Sequence, residues 1–137
     1  MIRRDFIQAE IAKLAQALAK ILGLKAVGNT QEAEGLINKL LLNDFDLELD
    51  NLLLLDEDQF KKLLADRKYP PQKLDLLSQF LLESISPFQP TPKTFHLLDH
   101  ILLIYQILEQ EHHTQSFENL SRKQNILQFL NQNEQHG

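Results

Sequence analysis

The sequence predicts an all-α protein, an antiparallel bundle of about six helices with stacked helical hairpins and no sheet. Three observations point there. Leucine supplies 29 of the 137 residues, against ten Ile, one Val and four Thr. Leucine loses little rotamer freedom in a helix, whereas strands favour β-branched residues. Apolar residues recur at steps of three and four in nearly every segment, and short Pro- or Gly-bearing links separate those segments.

The first helix is expected from about residue 3 to about residue 22, with Gly23 as its stop. Ile7, Ile11, Leu14, Leu18 and Ile21 form one continuous stripe close to an a/d seam. Alanines at 9, 12, 15, 17 and 19 flank it and let another helix approach closely. Gly28 turns the chain. Asn29 with Glu32 reads as a capping-box variant opening a second helix that carries Ala33, Leu36, Ile37, Leu40 and Leu41 inward. The short link makes these two helices an antiparallel hairpin.

Residues 44–58 alternate acids (Asp44, Asp46, Glu48, Asp50) with Phe45, Leu47 and Leu49. Acids are poor strand formers, so a loop with a short helix over Glu48–Leu54 is expected. Asp56 with Gln59 caps the next helix, with Phe60, Leu63 and Leu64 inward, and Tyr69-Pro70-Pro71 ends it. Pro71 opens a helix whose Leu74, Leu77, Leu81 and Ile85 share a face, with Leu76 and Phe80 beside them. After Pro87, Pro90 and Pro92, a helix from Lys93 to His112 is apolar almost all round, so it belongs at the centre. A last helix starts near Ser116, its N-cap, and offers Phe117, Leu120, Ile126, Leu127, Phe129 and Leu130. Residues 1–130 read as one domain and 131–137 as a polar tail. The hairpins 72–86 with 93–112, and 93–112 with 116–130, resemble tetratricopeptide packing, although that repeat's Trp and Gly signature is absent.

The formal charge of −5 disfavours nucleic acid, which needs a basic stripe. Residues 1–39 carry six Lys/Arg against four Asp/Glu, and residues 40–67 carry three against eight. Cysteine is absent, which excludes disulfides and thiolate chemistry. Arg3-Arg4 resembles a twin-arginine export signal, but Gln8, Glu10, Lys13, Gln16 and Lys20 interrupt what would be its apolar stretch. A soluble cytoplasmic protein is therefore expected, with no membrane partner.

Several motifs carry residues capable of chemistry. His96-Leu97-Leu98-Asp99-His100 puts two imidazoles four apart on one helical face, near the order of an inverted zinc peptidase. Asp99 is shorter than the glutamate that order requires, and no third ligand stands out, so a solvated stripe of His96, Asp99, His100, Gln106 and Gln110 is expected instead. His112-His113 reads as a solvated helix end, with an intermolecular metal contact as the other use. Asp44-x-Asp46-x-Glu48-x-Asp50 opens like a calcium loop but has Leu49 where glycine is needed and Leu55 where a glutamate is needed. None of the five serines stands in a glycine-flanked elbow, and no phosphate loop exists.

Arg4-Asp5-Phe6-Ile7, Leu14-Ala15, the run from Leu18 to Lys25, and Glu32-Ala33 resemble a family of small bacterial helical proteins catalogued as a domain of unknown function. The likeness is most specific in the first third and extends to Tyr105 and Ser116-Phe117-Glu118. It implies a helical fold and carries over no activity, cofactor or catalytic residue. The functional expectation is thus a non-enzymatic interaction or structural module without a cofactor. Ile7, Ile11, Leu14, Leu18 and Ile21 serve as core or interface, with a protein partner, foremost a second copy. A metal-dependent hydrolase using His96, Asp99 and His100 is one alternative. A carrier of small apolar ligands is another, although the sequence shows no ligand motif and a small-molecule partner is not expected.

Overall fold

The protein is all-α. The computed structural model describes residues 2–114 and 116–134, with side chains from residue 5 onward. The arginine pair at 3 and 4 and the end of the tail, 135–137, therefore lie outside the described side chains. Seven helices and no strand are present among the described residues. None of these helices is long and apolar enough to cross a membrane. The chain divides into two compact units, 1–49 and 50–137.

The first unit is a helical hairpin of α1 (Ile2–Ala26) and α2 (Thr30–Phe45). The helix α1 runs through Gly23, where a stop was expected, because Leu24 and Lys25 continue the helix and a mid-helix glycine costs only about 1 kcal/mol. The stop is Gly28, at φ 86°. Around it the Asn29 N–H reaches the Leu24 carbonyl (2.8 Å) and the Gly28 N–H the Lys25 carbonyl (3.1 Å), which closes the helix end in a Schellman motif. That bond spends the Asn29 N–H, so the expected box with Glu32 does not form, and Asn29 makes no side-chain cap. The two helices pack on each other. Leu14 and Ile21 are buried on α1, and Ala33, Ile37, Leu40, Leu41 and Phe45 on α2. The acidic stretch contributes to this unit too. Asp46 takes a left-handed conformation (φ 57°), and the Leu47 N–H bonds the Leu41 carbonyl at 2.9 Å, which tucks Leu47 inward.

The second unit holds α4 (Glu57–Arg67), α5 (Pro71–Ile85), α6 (Pro92–Gln110) and α7 (Phe117–Glu134), reached through a single turn, α3 (Leu49–Leu52). The Asp56–Gln59 capping box forms in both directions, at 2.8 and 2.9 Å. Pro71 and Pro92 occupy first-turn positions that have no use for an N–H, and the Thr91 hydroxyl caps α6 through the Thr94 N–H. The helix α6 packs against α4, α5 and α7, most extensively against α5. That is the central place its apolar circumference requires. The last helix continues to Glu134 rather than ending at 130, with Asn133 donating to the Phe129 carbonyl one turn back. Its expected apolar face is only partly used. Ile126 is buried, Leu120, Phe129 and Leu130 are half-buried, and Phe117 is 89% exposed.

Candidate functional site

The pair His96 and His100 lies on the face of α6 turned toward the segment between α3 and α4. The His96 Nε2 stands 2.7 Å from the Leu55 carbonyl, and the His100 Nε2 stands 2.9 Å from the Leu52 carbonyl. A carbonyl only accepts, so both rings donate through Nε2–H. The His100 ring stacks on Phe60 of α4 at 4.1 Å and meets His96 edge-on at 4.6 Å. These contacts correct the expected solvated stripe. Asp99, Gln106 and Gln110 are exposed, but His100 is 2% exposed and His96 is half-buried. Burial is the main reason the His100 imidazole titrates below its ordinary value. The Leu52 carbonyl opposes that shift, the nearby His96 adds to it, and Asp99 opposes it weakly.

Glu57, His96, Asp99, His100 and Gln106 line one open cleft of about 350 Å³. Among the described residues no group of three His, Asp or Glu side chains could hold a metal ion. The two Nε2 atoms are committed to carbonyls, so the arrangement ties α6 to the α3–α4 segment. It offers neither a converging ligand set nor a free base at Nε2.

A second polar cluster was missed in the sequence. Asn119, on the first turn of α7, is placed by its own N–H on the Ser116 hydroxyl at 3.0 Å. Its amide donates to Asp75 of α5 at 2.6 Å, while Gln79 takes the other carboxylate oxygen at 3.0 Å. Arg122 donates to the Asn119 carbonyl oxygen at 2.9 Å. The Tyr105 hydroxyl is buried beside this cluster without a hydrogen bond of good geometry. Burial pushes the phenol up to about 12, with Arg122 and the Ser78 hydroxyl pulling the other way and Asp75 adding to the rise. The available signal was Asp75 itself, a charge within the run Leu74–Leu77 of an otherwise apolar face.

The five stripe residues of α1 divide by depth. Leu14 and Ile21 are fully buried, whereas Ile7, Ile11 and Leu18 are half-buried. Phe6 (71%), Leu22 and Val27 (73%) are exposed. Helix lengths explain part of this. At 1.5 Å per residue α1 is about 37 Å long and α2 about 24 Å. The last turn of α2 lies beside Lys13, whose ammonium meets Asp44 at 3.3 Å. The part of α1 before Lys13 thus extends past the end of its hairpin partner. Of the remaining motifs, Phe45 and Leu47 of the acidic stretch are buried while Asp46, Glu48 and Asp50 are exposed, and His112 and His113 are exposed beyond the end of α6.

Fold and side-chain arrangement together define an all-α chain built from a helical hairpin and a four-helix unit around α6. Comparison with protein-family models, with curated proteins and with solved structures found no match to the chain.

Proposed function

We propose that the chain is a non-enzymatic helical interaction or structural module whose partner is a second copy, docked along α1. The observation that carries this reading is the overhang. A helix that runs past its hairpin partner while holding Phe6 in water and Ile7 and Ile11 half-covered gains most from a further helix. Closed two-fold pairs are the commonest way for a chain to supply one. The size of the face sets the strength. The whole of α1, a strip about 37 Å long and about 10 Å wide, buries on the order of 400 Å² per partner, about half that of a standard interface. An interface of that size belongs with weak, reversible associations. The reading places the protein in the cytoplasm and leaves the histidine cleft a structural tie.

Sedimentation velocity across a concentration series through the micromolar range tests the proposal. The wild-type chain should shift from monomer toward dimer, and Ile7→Asp/Ile11→Asp should stay monomeric with an unchanged helical circular dichroism spectrum. A wild-type chain that is monomeric throughout, or a dimer indifferent to that double substitution, overturns it.

A further inference from the structure

A cleft of about 340 Å³ opens where the C-terminal ends of α4 and α6 meet the start of α5. Its floor is apolar: Leu64 from α4, Leu74 from α5 and Ile107 from α6 are buried residues that also line it. Its rim is cationic. Lys61 on α4 and Lys68, the residue that ends it, both line the cleft, one on either side of Leu64 in the sequence. Lys68 sits in the left-handed conformation at the end of α4 (φ 54°), where glycine or asparagine is the usual occupant. The half-buried Tyr69 ring forms part of the wall, and the Lys73 ammonium lies 5.3 Å from its centroid, a third cation beside the cleft. Among the described residues Glu111 is the single acid on the lining, in a chain whose overall charge is −5. An apolar floor under an excess of ammonium groups complements a molecule with a hydrocarbon body and an anionic head. The cleft is near the lower limit of small-molecule sites, so it suits a medium-length chain. The apolar floor argues against a bare inorganic anion.

From this juxtaposition we infer that the cleft between α4, α5 and α6 is a binding site for an aliphatic carboxylate. The inference is independent of self-association, which concerns α1, and it gives the chain a small-molecule partner that no sequence motif announced. The carboxylate is held at the Lys61 and Lys68 rim and the chain lies over Leu64, Leu74 and Ile107. Because the cleft is open, each methylene of the ligand is partly covered, and affinity rises by between about two- and fourfold per CH₂ until the floor is filled.

The test is a titration of the full ¹⁵N-labelled chain with decanoate, hexanoate and decyltrimethylammonium, each below its micelle concentration, read by amide chemical shifts. The expected result is saturable shifts at Leu64, Leu74 and Ile107. Decanoate should bind at least about tenfold more tightly than the cationic amphiphile and more tightly than hexanoate. Lys61→Gln/Lys68→Gln should lose that preference for the anion while keeping the unliganded spectrum of the rest of the unit. Equal binding of both amphiphiles, shifts centred elsewhere, unchanged selectivity in the double variant, or no saturable shift would each overturn the assignment.

Discussion

Replacing His100 separates the contributions that hold α6 to the segment before α4. His100→Phe keeps a flat ring of similar volume on Phe60 but cannot donate to the Leu52 carbonyl. That carbonyl still receives the Leu55 N–H at 3.3 Å, so it is not orphaned, and the loss should be about 1 kcal/mol. His100→Ala removes the ring as well and leaves a void against Phe60, so it should cost about 3 kcal/mol. The pH profile adds a sharper test. In the native state burial holds the imidazole below its ordinary value of 6.5, so the unfolded chain binds more protons once the pH falls below that value. The stability tied to this neutral ring is fully present above 6.5 and is lost as pH falls toward and through the native pKa. The slope is at most about 1.4 kcal/mol per pH unit. His100→Phe lacks this dependence, so its deficit should shrink as the solution is acidified from neutral. His96, Asp99 and Glu57 face the same cleft and remain in both proteins, so the difference between the two profiles isolates His100. Urea unfolding followed by near-ultraviolet absorbance suits the measurement, because tryptophan is absent and Tyr69 and Tyr105 both lie in the second unit. Parallel pH profiles for wild type and His100→Phe, or a loss below about 0.5 kcal/mol for His100→Ala, would refute the tie.

Two further substitutions test other parts of the second unit. Tyr105→Phe removes a buried hydroxyl that makes no good hydrogen bond, so urea unfolding should show a change between zero and a gain of about 1 kcal/mol; a loss above about 1 kcal/mol would mean the hydroxyl is bonded after all. In the wild type the same phenol should resist ionisation until about pH 12, read at the phenolate absorbance band, and stability should fall as pH rises toward that value. Asp56→Ala breaks the box at the start of α4 and should cost about 1 kcal/mol, whereas Asp56→Ser should recover most of it.

Local chemistry made much of the fold legible. The Asp56–Gln59 box, the proline at 71 and the Ser116 cap are decided within four residues of themselves, and each appears in the structure, whereas Pro92, expected to break the chain before Lys93, instead opens α6. The end of α1 is not legible in the sequence because Gly23 and Gly28 look alike there, while only Gly28 of the two takes a positive φ and closes a helix end. Long-range partners were the larger omission. The polar stripe that His100 shares with His96 and Asp99 points to solvent, yet what covers His100 is the Phe60 ring and a carbonyl 48 residues earlier. Asp75 and Asn119 are 44 residues apart; each has a local partner, Gln79 for Asp75 and Arg122 for Asn119, but the bond between them joins elements that local sequence does not pair. The apolar face of α7 is only partly covered, since periodic leucine and phenylalanine mark a surface that can be covered without saying that it is, as Phe117 demonstrates.

The α1 stripe remains the feature on which the functional reading depends. Isotope-filtered NOE spectroscopy on an equal mixture of ¹³C-labelled and unlabelled chains addresses it directly, because only contacts between copies give signal. Cross-peaks from the Phe6 ring and the Ile7 and Ile11 methyl groups are the expected result. Intermolecular peaks confined to α7, or a dimer whose α1 side chains give none, would contradict the docking of a second copy along α1.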